Sequence, residues 1–170
     1  FYLRSKKLAS ALSQKGMTRG STVSTLLLNT PPMLEAHYGI PMCGAVIHAI
    51  NTRLDPATIA FQLDHANSQI LFFDKELSGV VAEALKLCES KPSLIEFVDS
   101  EHDYGSISSP DLEVVDYEVF LEKGEDNYQW LMPENEWDAI SVGYTSGTTG
   151  DPKGVVSHHR GAYLLAQGNA

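Results

Sequence analysis

Short apolar runs alternate along the chain with stretches whose apolar residues recur every three or four positions, and this alternation sets the expected architecture. Val23 to Leu28, Ala45 to Ile50, Ile70 to Phe73 and Leu94 to Val98 are four to six residues long, as expected of strands buried on both faces. Pro32 to Tyr38, Pro56 to Ala66 and Glu76 to Glu89 lie between or after them and read as helices. Tyr117 to Leu121 reads as a further short helix, and Ala139 to Tyr144 as a strand leading into a glycine-rich stretch. Repeated βα units predict an α/β fold, a mainly parallel sheet with helices on both faces. In such folds ligands gather beyond the carboxyl ends of the strands.

Several joints have local causes. Asn29 and Thr30 can cap a helix whose first turn contains Pro31 and Pro32, and Asp55 can cap one beginning at Pro56. Ser100 to Pro110, rich in Ser, Asp and Gly, reads as an exposed loop, and no internal repeat is evident. The opening residues carry Arg4, Lys6, Lys7, Lys15 and Arg19 and no acid before Glu35, a pattern shared with transit peptides. Leu8, Ala11 and Leu12 nevertheless fall at helical spacing, and Gly16 and Gly20 lead into the first strand, which favours a helix inside a domain. Tyr163 to Ala166 continues a helix towards Ala170 without a stop signal, so both ends read as cuts within one domain.

With 170 residues and 43% hydrophobic content the chain can bury one substantial core. Its most apolar stretch, Gly39 to Ile50, is interrupted by Pro41 and His48 and is far shorter than the ~20 residues of a membrane-spanning helix, so no transmembrane segment is expected. The formal charge of −10 comes from one region: Glu101 to Asp138 holds 12 acids and one base, leaving 10 acids and 11 bases elsewhere. That region reads as a solvated loop and surface helix. Without a Lys/Arg run or an aromatic platform, this acidity argues against a nucleic acid partner. Cys43 and Cys88 form no C-x-x-C pair and sit in apolar patterns, which argues against a disulfide framework or structural zinc site and favours packing roles in a reducing cytoplasm.

The chemistry concentrates in Tyr144-Thr145-Ser146-Gly147-Thr148-Thr149-Gly150-Asp151-Pro152-Lys153-Gly154. Glycines let successive N–H groups converge on an anion, hydroxyls add neutral donors, and Lys153 brings a compact positive charge. Pro152 fixes its own φ and pushes Asp151 towards extended geometry, which narrows the shapes the loop must search. Hydrogen bonds to a charged partner contribute about 1.5–3 kcal/mol each, so three or four could hold a triphosphate despite the acidic surroundings. The Walker A pattern would require Gly at 152 and Ser or Thr at 154, where this sequence has Pro152 and Gly154, and no G-x-G-x-x-G fingerprint is present.

This segment, with Val155, resembles the phosphate-loop signature of the adenylate-forming (AMP-binding, acyl-activating) superfamily of acyl-CoA synthetases, luciferases and peptide-synthetase adenylation domains. Asn29-Thr30-Pro31, Gly39, Gly44-Ala45-Val46 and Asn51-Thr52-Arg53-Leu54 are similar to the acyl-CoA synthetase branch. Ser157 to Tyr163 resembles activators of short- or medium-chain fatty acids. The resemblance implies that the chain, 1–170, is an incomplete N-terminal AMP-binding domain cut at both ends and lacking the C-terminal domain. It implies phosphate contacts from Thr145, Ser146, Gly147, Thr148, Thr149, Gly150 and Lys153, and a magnesium contact from Thr145; Asp151 occupies a variable position. ATP, Mg2+ and coenzyme A would serve the reaction of a small carboxylic acid, first to acyl-AMP and pyrophosphate and then to the CoA thioester. No catalytic side chain is expected within these residues. Adenine, ribose, acyl and CoA contacts would by the same resemblance lie beyond Ala170.

Bland explanations suffice for other polar residues. His158, His159 and Arg160 read as the start of a helix after Ser157, and adjacent histidines diverge too far on a helix to share a metal. His37, His48, His65 and His102 show no ligand spacing; Asp55 has its capping role, and Asp64 falls on the polar side of a helix. Two alternatives stand beside the acyl-CoA synthetase reading: a non-catalytic module that binds a nucleotide, and an adenylation domain for an aromatic or amino acid.

Overall fold

A sheet of seven strands in the order β5-β4-β3-β1-β2-β6-β7 forms the backbone of the computed structural model, which describes residues 1–105, 111–145 and 151–169. The strands are β1 (Thr22–Leu26), β2 (Val46–Ala49), β3 (Ser68–Asp74), β4 (Ser93–Phe97), β5 (Val114–Asp116), β6 (Ala139–Thr145) and β7 (Lys153–His158). All neighbours pair in parallel except β6 and β7, which are antiparallel. The helices are α1 (Tyr2–Gln14), α2 (Pro31–Met42), α3 (Pro56–His65), α4 (Ser78–Leu87), α5 (Tyr117–Glu122) and α6 (His159–Gly168), with one 3-10 turn at Lys75–Leu77 before α4.

The central strands alternate between two buried layers. Val23, Ile47, Ile70, Phe72 and Ile95 meet Leu8, Leu12 and Ile40 of α1 and α2, together with Tyr117, Phe120 and Leu121 of α5. Leu26, Leu71, Phe73 and Leu94 meet Ile59, Leu63, Val81 and Ala84 of α3 and α4 on the opposite face. Helices therefore cover both faces, as the continuous apolar runs predict. Asp55 caps α3 through Thr58, and Thr30 is the N-cap of α2 without a side-chain capping bond, its prolines occupying the first turn. Asp64 accepts from the backbone of Glu89 and Ser90, so its carboxylate secures the turn after α4. Both cysteines are free and buried, and burial pushes each thiol up to about 11, consistent with packing rather than nucleophilic roles.

Four elements differ from the sequence reading. Strand β7 takes up the end of the glycine-rich segment and the residues before the helix expected after Ser157, and β5 adds an edge strand of three residues. Helix α2 runs on through Pro41, whose missing N–H forgoes one bond to the His37 carbonyl, and ends one residue later at Met42. Helix α5 is no mere surface helix in the acidic region, because Tyr117, Phe120 and Leu121 are buried. Of the loop expected at Ser100 to Pro110, residues 106–110 lie outside the described residues.

One polar network joins α1, α2 and α5. Glu35, buried in α2, accepts from Arg4 Nε at 2.5 Å and from the Tyr117 hydroxyl at 2.6 Å, while Arg4 also donates to Glu118. Burial, and then the Glu35 carboxylate, push the Tyr117 phenol well above its ordinary range. The same corner contains a tight backbone approach: a Cβ on Gly124 would lie 1.9 Å from the Lys7 carbonyl oxygen, whereas one on Gly79 would meet nothing within 4 Å. Gly124→Ala should therefore destabilise the chain by about 1–3 kcal/mol in urea unfolding, and Gly79→Ala should stay within about 0.5 kcal/mol of wild type. Equal midpoints for the two variants would contradict this packing.

Candidate functional site

Because β6 runs parallel to β2, its carboxyl end shares an edge with those of β1, β2 and β3. The connections carrying Asn29-Thr30 and Asn51 to Leu54 leave from the ends of β1 and β2 on that edge. Thr145 ends β6, Lys153 begins β7, and the two are register partners across the antiparallel pair. Both are exposed, and Lys153 makes no salt bridge among the described residues. Thus one hydroxyl and one cation flank the mouth of the turn. Ser146, Gly147, Thr148, Thr149 and Gly150, also expected to contact phosphate, lie outside the described residues. No group of three or more His, Cys, Asp or Glu side chains among the described residues could hold a metal, so a cation at Thr145 would need oxygens from other sources.

The base of the turn is tied to the sheet and to α3. Gly154 pairs with Tyr144, and a Cβ at Gly154 would lie 3.6 Å from Tyr144 Cζ, so the phenol ring extends over the opposite strand. The Tyr144 hydroxyl lies 2.7 Å from His65 Nδ1, and partial burial pushes the phenol's pKa upward. Its ring is also 5.0 Å from that of His48. His48 is buried on β2, with Nδ1 2.8 Å from Ser24 Oγ, which in turn lies 2.5 Å from Ser68 Oγ. Among the described residues its Nε2 has no hydrogen-bond partner of good geometry, although Gln62 lies near enough to favour the charged form slightly. The sequence reading gave His48 and His65 no role; these contacts join residues on separate elements and leave no local signal.

The histidines after β7 have structural explanations. His158 is the N-cap of α6, its Nδ1 accepting from Gly161 N at 2.9 Å, so the helix begins at His159 rather than directly after Ser157. The His158 ring packs on Trp137 at 4.6 Å, and Arg160 pairs with Glu136. Burial lowers the His159 pKa. Between α2 and α6 lies a groove of ≈ 640 Å³ with Tyr38, Met42, Trp130, Leu131 and Tyr163 in its lining.

A doubly covered, mainly parallel sheet with a hydroxyl and a lysine facing each other at its carboxyl edge defines an α/β protein whose edge is suited to an anion. The sequence profile of the AMP-binding enzyme family matches residues 1–169, and the chain belongs to that family. It is 43% identical to the peroxisomal acetate/butyrate–CoA ligase of Arabidopsis thaliana, over 99% of this chain and 31% of the relative. It is 42% identical to the acetate–CoA ligase of Humulus lupulus, over 97% of this chain and 30% of that protein. The peroxisomal benzoate–CoA ligase of Arabidopsis thaliana is 40% identical over 96% of this chain and 29% of its own length. Among solved structures, an anthranilate CoA ligase in complex with anthranoyl-AMP superposes with a TM-score of 0.85 at 22% identity, covering 98% of this chain and 30% of that one, a likeness of fold. The chain thus spans about 30% of the length of these relatives.

Burial moves His48 from an ordinary value of 6.5 down to about 4. The unfolded chain binds this proton first, so the contribution of neutral His48 to stability is present above the unfolded value and is lost as pH falls towards the folded one. Urea unfolding between about pH 7 and about pH 4 should show up to about 3 kcal/mol of pH-dependent loss that His48→Asn removes. An identical pH slope in wild type and variant would show that His48 does not carry it.

Proposed function

We propose that this chain is the N-terminal part of an AMP-forming acyl-CoA synthetase, with 145–153 receiving the phosphates of ATP. The observation that carries the reading is the facing pair Thr145 and Lys153 at the carboxyl edge of the sheet, in a chain of the AMP-binding enzyme family. The seven-residue connection between them holds three hydroxyls and two glycines, suited to ringing an anion with neutral donors. Lys153 lies on a strand rather than on the loop, so its ammonium starts from a fixed backbone position.

In this reading the carboxylate of a small acid attacks the α-phosphorus of ATP, forming acyl-AMP and releasing pyrophosphate. The thiol of coenzyme A then attacks the acyl carbon, forming the thioester and releasing AMP. The turn holds the triphosphate in line and stabilises charge on the departing pyrophosphate, which is positioning and electrostatic catalysis without a protein nucleophile. Magnesium, when bound, neutralises phosphate charge, and Thr145 Oγ1 is the hydroxyl offered to it here. Acetate to butyrate is the favoured substrate range, since relatives at 42–44% identity are named for those acids.

The adenine, acyl and CoA contacts and the C-terminal domain are assigned to residues outside this chain. Val155 and Val156 are 52% and 61% exposed, and α6 buries none of its residues, which supports a surface that more of the same domain covers. Among the described residues no helix is long and apolar enough to cross a membrane. Free cysteines suit a reducing cytoplasm, but relatives named as peroxisomal give that compartment equal support.

The test is carboxylate-dependent ATP–pyrophosphate exchange by the full-length protein carrying this sequence, with acetate, butyrate and benzoate compared. Lys153→Ala should lower kcat/KM for MgATP by roughly 10- to 100-fold, the worth of one charged contact. Unaltered exchange would sink the role of Lys153, and faster exchange with benzoate than with acetate or butyrate would shift the substrate class.

A further inference from the structure

The contact between His65 and Tyr144 has a use beyond holding α3 against the sheet. Tyr144 immediately precedes Thr145, and its ring extends over Gly154, which immediately follows Lys153. The side chain therefore spans both legs of the antiparallel pair one residue below the facing Thr145 and Lys153. Its hydroxyl reaches His65, the last residue of α3, at 2.7 Å. His65 is itself held by stacking on Phe61 at 5.4 Å with ring planes 19° apart, and Phe61 meets the Tyr144 ring edge-on at 6.5 Å. On the buried side, the Tyr144 ring rests 5.0 Å from His48, whose position is fixed by Ser24. Few other fastenings are available there: β7 is exposed along most of its length, and its outer edge has no strand partner among the described residues.

We propose that His65 and Tyr144 are positioning residues for the triphosphate, fixing the direction in which Thr145 and Lys153 present their hydroxyl and ammonium to ATP. This inference rests on the reading of 145–153 as the phosphate site. Neither side chain touches the nucleotide in it; each acts through the strand ends that do. The phenol donates to an unprotonated Nδ1 and can accept from a protonated one, so the tie does not depend on the protonation state of His65. Misplacing charged donors by a fraction of an ångström weakens their contact with a polyanion while leaving binding of a carboxylate elsewhere unaffected.

The test compares Tyr144→Phe, His65→Leu, His65→Asn and the double variant Tyr144→Phe/His65→Leu in the full-length protein. ATP–pyrophosphate exchange is measured with MgATP and acetate varied separately, alongside the thermal midpoint. Tyr144→Phe and His65→Leu should each raise KM for MgATP about five- to tenfold, the worth of one hydrogen bond, with KM for acetate within about twofold of wild type. The double variant should be no worse than either single change, because both remove the same bond. His65→Asn, whose amide occupies the place of Nδ1, should restore most of the MgATP affinity. The proposal is overturned if both single variants keep wild-type KM for MgATP, or if MgATP and acetate parameters decline together with the thermal midpoint. Lys153→Ala separates the two ideas: loss of exchange there with unaffected Tyr144→Phe and His65→Leu removes only the positioning role, whereas unaffected Lys153→Ala removes the phosphate site and this proposal with it.

Discussion

Burial of a parallel sheet on both faces is the constraint on which the rest of this structure depends. Parallel strands need crossover connections, the crossovers supply helices to each face, and the strands between them become apolar throughout. In β1 and β3 the condition is met by Val23, Leu26, Ile70, Leu71, Phe72 and Phe73, each 0% exposed, with Ser24, Thr25, Ser68 and Asp74 as buried polar positions and Gln69 exposed. Coverage then falls towards both edges, since β5 is mostly exposed on one side while β6 is only partly buried and β7 is largely open on the other. The candidate site stands at the β6–β7 side. A lysine and a hydroxyl can remain solvated there, whereas in the centre of the sheet either would require a buried partner.

After β6 the chain reverses direction and pairs antiparallel with it as β7, which bears on how phosphate could be held. A helix directly after the loop, as in phosphate-binding βα units, would offer backbone N–H groups and a helix dipole to the anion. Here the chain returns as β7, and α6 starts only after His158. In the proposed reading no helix N-terminus stands behind the phosphates, so their attraction has to come from the donors of the connection itself and from Lys153, which fits the density of Ser, Thr and Gly in 145–150. The antiparallel partnership fixes Lys153 opposite Thr145 and so sets the separation of the two ends of the connection.

Much of this architecture was legible because buried strands read as unbroken apolar runs. Val23 to Leu28 and Ile70 to Phe73 identified β1 and β3 within a few residues, and Asp55-Pro56 marked the start of α3 correctly. What escaped detection lacked periodicity or relied on distance. Strand β7, Lys-Gly-Val-Val-Ser-His, is short, contains glycine and begins inside the glycine-rich segment; β5 has three residues. The buried side of α5 was masked by acids at Asp116, Glu118 and Glu122, although Tyr117, Phe120 and Leu121 have the i, i+3, i+4 spacing of a core face. At the site, Thr145 and Lys153 stood out by residue type. Tyr144 and His65 are 79 positions apart, so no local pattern could pair them, and the structural positions of Ser146 to Gly150 lie outside the described residues.

The polar residues inside the scaffold divide according to how completely they are satisfied. Glu35 has donors from two other helices and ties α1, α2 and α5 together over one face of the sheet. His48 sits between the central strands and the open β6–β7 side: one nitrogen is bonded to Ser24, the other has no partner of good geometry among the described residues, and its ring lies against Tyr144. A leucine there would pack without the cost of an unpaired nitrogen, but it would leave the hydroxyls of Ser24 and Ser68 with only each other. The imidazole instead connects the hydroxyls beneath the central strands to the aromatic ring at the base of the candidate site. The covered centre of the sheet thereby fixes a strand end that its own surroundings bury only in part.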